Sequence, residues 1–117
     1  MDIREFYLMT ATEAEYDDIL RRMGGNEKLI KKFLGKLCTD STVQNLMDAL
    51  AKEDFPNVFT CAHNLKGVSL NLGLIKIAET SSEIVKELRA NNNQVSDLCL
   101  QLKRNYDEIV ALIMEIE

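Results

Sequence analysis

The 117-residue chain has one proline, five glycines, three cysteines, one histidine and no tryptophan. The scarcity of proline and glycine leaves long stretches without a helix breaker, which disfavours a fold of many short strands and turns. Cys38, Cys61 and Cys99 are odd in number and form no C-x-x-C pair, so we expect neither a disulfide framework nor a zinc site. They fall at or beside apolar helical positions and are interpreted as reduced, structural thiols.

An excess of basic residues and long apolar runs are also missing. The formal net charge is -5, which argues against a nucleic-acid partner because phosphates require a surface rich in lysine and arginine. No apolar stretch reaches the roughly 20 residues that span a bilayer, and residues 1–5 lack the pattern of an export signal. We therefore expect a cytoplasmic protein that does not insert into a membrane.

Apolar residues recur at intervals of three and four along most of the chain, which is the period of a helix buried along one face. Capping residues at Thr12, Asn26 and Asp54 predict helix starts. The glycine pair at 24–25 and Gly73 predict helix ends. No alternating pattern typical of strands is present, so the sequence predicts an all-α protein.

The arrangement of these segments follows from their length and their short connections. Four long amphipathic segments lie within about residues 26–116, and shorter helices precede them at about residues 2–23. The most economical way to bury the apolar faces is an antiparallel up-and-down four-helix bundle with the short N-terminal helices packed at one end. We expect residues 1–117 to form a single helical domain.

His63, the only histidine, points away from the apolar side of its own predicted helix. Projected at about 100° per residue, one face of this helix carries Val58, Cys61, Ala62, Leu65, Val68, Ser69 and Leu72. His63 lies roughly opposite Leu65. Four residues share the outer face with it, at offsets of minus four, plus three, plus four and plus seven: Phe59, Lys66, Gly67 and Leu70.

The neighbours of His63 distinguish it from an ordinary solvated surface histidine. Gly67 costs about 1 kcal/mol in a helix interior, and we interpret it as open space beside the imidazole. Lys66 is placed to neutralise an anionic group on His63, although it could also be a plain surface lysine. Phe59 and Leu70 are apolar on the outward side, which indicates a docking surface, unless the N-terminal helix covers Phe59.

Residues 62–67 read Ala-His-Asn-Leu-Lys-Gly and residues 71–73 read Asn-Leu-Gly. Together with the aromatic residue four positions before the histidine, the early glycine pair and the final helical hairpin, they resemble the histidine-containing phosphotransfer (HPt) domain family. The resemblance covers nearly the whole chain. It implies that His63 accepts a phosphoryl group from an aspartyl phosphate on one receiver domain and passes it to another. It also implies that Lys66 steadies the phosphate and that Gly67 leaves room for it.

Two positions depart from the family pattern. Asn64 stands where a serine or threonine is usual, and we assign it, with Phe59 and Leu70, to partner docking rather than to chemistry. Val68 replaces a residue that is often small, and we expect it to affect packing only.

The partners and cofactors expected from the resemblance are receiver domains of response regulators and of hybrid sensor histidine kinases. No carboxylate cluster beside His63 indicates a magnesium site in this chain, so we expect the magnesium ion on the partner and no cofactor here. No glycine-rich phosphate loop is present, which predicts a phosphocarrier without kinase activity of its own on ATP. The family also implies a monomer.

Two alternatives from other classes stay open. The first is a helical adaptor that docks receiver domains without carrying phosphate, which the presence of both His63 and Lys66 disfavours. The second is a hydrolytic enzyme, which would need a carboxylate to orient the histidine. No Asp or Glu stands three or four positions from His63.

Overall fold

The computed structural model describes residues 1–117 and consists of α-helices and their connections, with no strand. Seven helices follow one another: α1 (Ile3–Thr10), α2 (Glu13–Arg22), α3 (Glu27–Cys38), α4 (Thr42–Ala51), α5 (Phe55–Asn71), α6 (Ile75–Arg89) and α7 (Ser96–Ile113). The predicted all-α class is confirmed. None of the helices combines the length and the hydrophobicity that a membrane-spanning segment requires.

The helix starts follow the capping residues seen in the sequence. The side chain of Thr12 accepts a hydrogen bond from a backbone N–H at the start of α2, at 3.1 Å. Asn26 does the same for α3 at 3.1 Å and Asp54 for α5 at 3.4 Å. Each bond satisfies an N–H that has no partner inside its helix. Gly73 ends α5 in the left-handed region, at φ +69°.

Four helices enclose most of the core. Helix α5 packs against α4 and α6, and α7 packs against the same two helices, so that α5 and α7 lie diagonally across the group. Helix α3 precedes α4 after a break at residues 39–41 and also contacts α7. One apolar cluster of 25 buried residues draws on all seven helices. Burial of this shared cluster is the main force that holds the helices together.

The two N-terminal helices hold the C-terminal end of α5. The hydroxyl of Tyr7 donates to the carbonyl of Leu72 at 2.6 Å, and the guanidinium of Arg22 donates to the carbonyl of Asn71 at 2.8 Å. Both carbonyls lie at a helix end, where no backbone N–H is available to them within the helix. A Cβ at Gly73 would lie 3.3 Å from the Tyr7 ring. Helices α1 and α2 therefore fix the position of α5.

The buried face of α5 differs from the sequence prediction at Val68. Val58, Ala62 and Leu65 are buried as expected, but Val68 is 42% exposed. Val68 lies about 60° around the helix from Leu65, at the edge of the apolar face, and a groove between α3 and α5 leaves it partly uncovered. The prediction that Val68 belongs to the core face is therefore wrong.

The chain ends against its own beginning. Helix α7 ends at Ile113, yet Ile116 beyond it is also buried. The backbone N–H of Glu117 donates to the carbonyl of Met1 at 3.0 Å, and the N-terminal ammonium donates to the carbonyl of Glu115 at 3.1 Å. These bonds hold the first and last residues together beside the core.

Candidate functional site

His63 lies on the exposed face of α5, as the helical projection predicts. It lines none of the five principal grooves of the surface. None of the five ion pairs of the chain involves its imidazole, so no carboxylate lies within 4 Å of a ring nitrogen. No carboxylate of the chain is therefore in place to orient the imidazole as a hydrolytic mechanism would require.

Phe59 lies one turn before His63 and its ring stacks with the imidazole. The two ring centroids are 6.1 Å apart and the ring planes differ by 21°. The guanidinium of Arg89, at the end of α6, lies 5.4 Å from the centroid of the Phe59 ring, within the range of a cation–π contact. These contacts place an aromatic ring beside the imidazole and a positive charge on the same side of the site.

The cover over Phe59 comes from α6 and not from α1. Phe59 is half-buried and packs against the core, and it shares a groove with Phe55 and Leu88. Helix α1 instead meets α5 near Leu72, about 20 Å further along the helix axis at 1.5 Å per residue. The alternative that the N-terminal helix covers Phe59 is therefore wrong.

Lys66 lies one turn after His63 on the same helix and is half-buried. Its ammonium takes part in none of the ion pairs of the chain. The aliphatic stem of a lysine can lie along the protein while the charge stays in water. The structure thus places an unpaired positive charge close to His63, where it can stabilise an anion bound to the imidazole.

Gly67 faces solvent in the interior of α5, and its lack of a side chain is not required by packing. A Cβ built at this position would have no other group of the protein within 4 Å. The glycine costs the helix about 1 kcal/mol relative to alanine, and nothing inside the chain compensates for this cost. The open space lies one turn from His63, so the reason for it is to be sought in a molecule that approaches the imidazole.

Asn64 and Leu70, the other predicted docking residues, are both exposed on α5. Leu70 is 56% exposed and lies beside the groove between α5 and α6. Val68 is also exposed, so the helix that carries His63 has two aliphatic side chains open to solvent. The six residues singled out in the sequence thus lie on one helix, five of them around its outer face and Phe59 at its border with α6.

The family comparison bears directly on this site. A family model described as the Hpt domain matches residues 29–113, from α3 to the end of α7. The chain belongs to the Hpt domain family. No curated protein and no solved structure gives a match. The resemblance drawn from residues 62–67 is thereby confirmed, and with it a role in histidine phosphotransfer within phosphorelays, as a phosphocarrier rather than an enzyme.

The cysteines of this Hpt domain are poor candidates for a reacting group. Burial raises the pKa of the Cys99 thiol to about 11. Burial also raises the pKa of Cys38, and at Cys61 the carboxylate of Asp40 adds to the effect of burial. A thiol is nucleophilic as the thiolate, and raised pKa values keep these three groups protonated at neutral pH. None of the three thiols is therefore a candidate nucleophile at neutral pH.

Sequence reasoning missed two residues beside the site. Arg89 belongs to α6, and no periodicity within α5 could place its guanidinium over Phe59, because that contact depends on how the two helices pack. The helical projection predicts Val68 in the core, because it gives directions around one helix but not the extent of the neighbouring helices. Arg89 is a basic residue in the last turn of α6, and no pattern in the sequence connects it with Phe59.

Proposed function

We propose that this Hpt domain is a phosphorelay intermediate that carries a phosphoryl group on His63. An unprotonated ring nitrogen of His63 supplies an electron pair to the phosphorus of an aspartyl phosphate on a receiver domain. The N–P bond forms as the bond between phosphorus and the carboxylate oxygen breaks, and the aspartate leaves as a carboxylate. The reverse exchange delivers the phosphoryl group to the aspartate of a second receiver domain. The observation that carries the proposal is an exposed, unpaired and unique histidine one turn from an open glycine.

The neighbouring residues have distinct parts in this proposal. Lys66 contributes a positive charge for the phosphoryl oxygens, and Gly67 leaves the volume that the phosphoryl group and the partner occupy. The stack on Phe59 limits the motion of the imidazole, so that less orientation has to be achieved when the partner arrives. Asn64 and Leu70, with Phe59 at the border, are proposed to contact the receiver domain. We place the magnesium ion that supports phosphoryl transfer on the receiver domain.

The proposal extends to the architecture and the partners. We propose that α4 to α7, with α3 leading into α4, form an antiparallel up-and-down bundle, because helices that are consecutive in the chain pack against each other across short connections. Residues 1–117 are proposed to act as one monomeric domain in the cytoplasm. Its partners are receiver domains of response regulators and of hybrid sensor histidine kinases. It does not act as a kinase on ATP.

The test is transfer from a receiver domain that carries a labelled phosphoryl group, in the presence of magnesium. The wild-type protein is compared with His63→Gln. We expect label on the wild-type protein alone, labile in acid and stable in base, as a phosphoramidate is. Thermal unfolding serves as the control, and both proteins should melt at about the same temperature because the exposed imidazole contributes little to the core.

Two results would contradict the proposal. Equal labelling of His63→Gln would place the phosphoryl group elsewhere. Binding of a receiver domain by a folded wild-type protein that gains no label from any receiver tested would favour an adaptor that docks receiver domains without carrying phosphate.

A further inference from the structure

Helix α3 presents a concentrated basic surface in an otherwise acidic protein. Four of the 14 lysine and arginine residues of the chain lie on this helix, at Lys28, Lys31, Lys32 and Lys36. All four are exposed, and none belongs to an ion pair. Glu27 is the only acidic residue of α3. We call these four lysines the α3 lysine surface, and none of its ammonium groups is paired with a carboxylate of the chain.

Gly35 lies in the middle of the α3 lysine surface. Like Gly67, it occupies a helix interior, and a Cβ there would meet no other group of the protein within 4 Å. Packing within the chain therefore does not account for a residue that costs about 1 kcal/mol. A glycine that is three residues from Lys32 and four from Lys31 lets the backbone of another molecule approach between the two lysine stems.

A groove joins the α3 lysine surface to the helix that carries His63. Its walls include apolar side chains from α3, α5 and the end of α2, namely Phe33, Val68, Leu72 and Met23. Arg22, Lys36, Asn71 and Asp40 also line it. The ammonium of Lys36 lies 5.3 Å from the centroid of the Phe33 ring. An apolar floor with a polar rim is typical of a protein docking surface.

Asn71 connects this groove to the His63 site. It is exposed, lines the groove and lies one turn after Gly67, on the same side of α5. Val68 is 42% exposed within the groove and lies further around the helix. A partner that covers His63 and Gly67 therefore reaches the edge of the groove at Asn71, one turn further along α5. The charge of the neighbouring α3 lysine surface determines which partner chemistry fits, because lysines without ion pairs attract carboxylates.

We propose that the α3 lysine surface and the adjoining groove are a second docking area for the receiver domain. This area binds an acidic segment of the receiver domain, whose carboxylates contact the lysines and whose apolar side chain enters the groove. This inference rests on the proposed phosphotransfer function. A receiver domain that holds magnesium does so with carboxylates, and the lysines steer this acidic face towards His63. Complementary charge acts chiefly on the association rate and on partner choice.

The test compares two charge-reversal variants with the same change in net charge. Lys32→Glu/Lys36→Glu alters the α3 lysine surface, whereas Lys76→Glu/Arg104→Glu alters exposed residues on α6 and α7 that form no ion pair. Receiver binding and phosphoryl transfer are measured at low and high salt. We expect the α3 variant to lose about 10- to 100-fold in association rate at low salt, with a smaller difference at high salt. The control should stay within about threefold of the wild-type protein.

A second pair of variants tests the space at Gly35. Gly35→Gln should leave the melting temperature unchanged or higher but weaken receiver binding, and Gly35→Ala should bind nearly as the wild-type protein does. Wild-type binding by both the Lys32→Glu/Lys36→Glu and Gly35→Gln variants would overturn the inference while leaving transfer to His63 intact. If the wild-type protein binds receivers without accepting phosphate, the phosphotransfer function fails, and a binding loss confined to the α3 variants still supports the docking area.

Other occupants of the α3 lysine surface would give different results. Vesicles containing anionic lipid and single-stranded DNA are added as competitors in the same binding measurement. The proposal would be overturned if Lys32→Glu/Lys36→Glu weakened binding to the vesicles or to DNA but left receiver binding unchanged. We expect that neither the vesicles nor the DNA competes with the receiver domain, and that only the α3 variants lose receiver binding.

Discussion

Substitution of Gly67 separates helix stability from access to His63. A Cβ at this position has no neighbour within 4 Å, so Gly67→Ala should add about 1 kcal/mol to the free energy of unfolding. With an unfolding entropy of about 2.1 cal/mol/K per residue, this gain raises the melting temperature of the 117-residue chain by about 4 °C. Gly67→Gln should give a smaller gain, because glutamine is a good helix former but ranks below alanine.

Phosphoryl transfer should change in the opposite direction. Side chains on a helix lean towards its N-terminus, so a glutamine at position 67 covers His63, one turn earlier. Because the glutamine blocks the approach of the receiver domain to the imidazole, we expect it to lower the transfer rate about 100-fold. The shorter alanine should lower the transfer rate less than tenfold. The assay pairs thermal unfolding with transfer from a labelled receiver domain.

The outcome that would refute the reasoning is Gly67→Gln with a raised melting temperature and a wild-type transfer rate, because bulk beside the imidazole would then be harmless. A fall in stability would show that the glycine serves packing. Gly35→Ala is the matched control for the stability arm, since Gly35 has the same open environment in a helix interior and should give the same gain.

Three further predictions follow from the contacts around the site and the core. Lys66→Ala should slow transfer or shorten the lifetime of the phosphorylated protein without lowering its melting temperature, and unchanged kinetics would show that this ammonium is a bystander. Tyr7→Phe removes the buried hydrogen bond to Leu72 and should cost about 1–2 kcal/mol and also slow transfer. As a control, Tyr106→Phe removes the 2.7 Å hydrogen bond from Tyr106 to the carbonyl of Leu37 and should lower stability without slowing transfer. Equal transfer rates for the two variants would contradict a positioning role for α1. Because burial raises the pKa of Cys99 from 9.0 to about 11, its ionisation favours the unfolded chain. The free energy of unfolding is therefore unaffected by this thiol below pH 9 and falls between pH 9 and pH 11, by at most about 3 kcal/mol. Denaturant titrations across this range should show a shallower decline for Cys99→Ala than for the wild-type protein, and parallel declines would refute the assignment.

The sequence was sufficient wherever a property belongs to one helix. The capping residues Thr12, Asn26 and Asp54 act on backbone groups three residues away, so they predict helix starts without knowledge of the fold. The outward direction of His63 follows from the helical repeat and the apolar residues around it. The open space at Gly67 is likewise a consequence of an absent side chain on that outer face.

Tertiary structure decided the features that depend on the distance and extent of neighbouring helices. The guanidinium of Arg89 reaches the Phe59 ring only because α6 packs beside α5, and Val68 is exposed because α3 leaves a groove next to it. The sequence predicts that the short N-terminal helices pack at one end, but the bond from Tyr7 to the end of α5 appears only in the fold. A helical period gives a direction around one axis, whereas contacts between axes are set by how the whole apolar core closes.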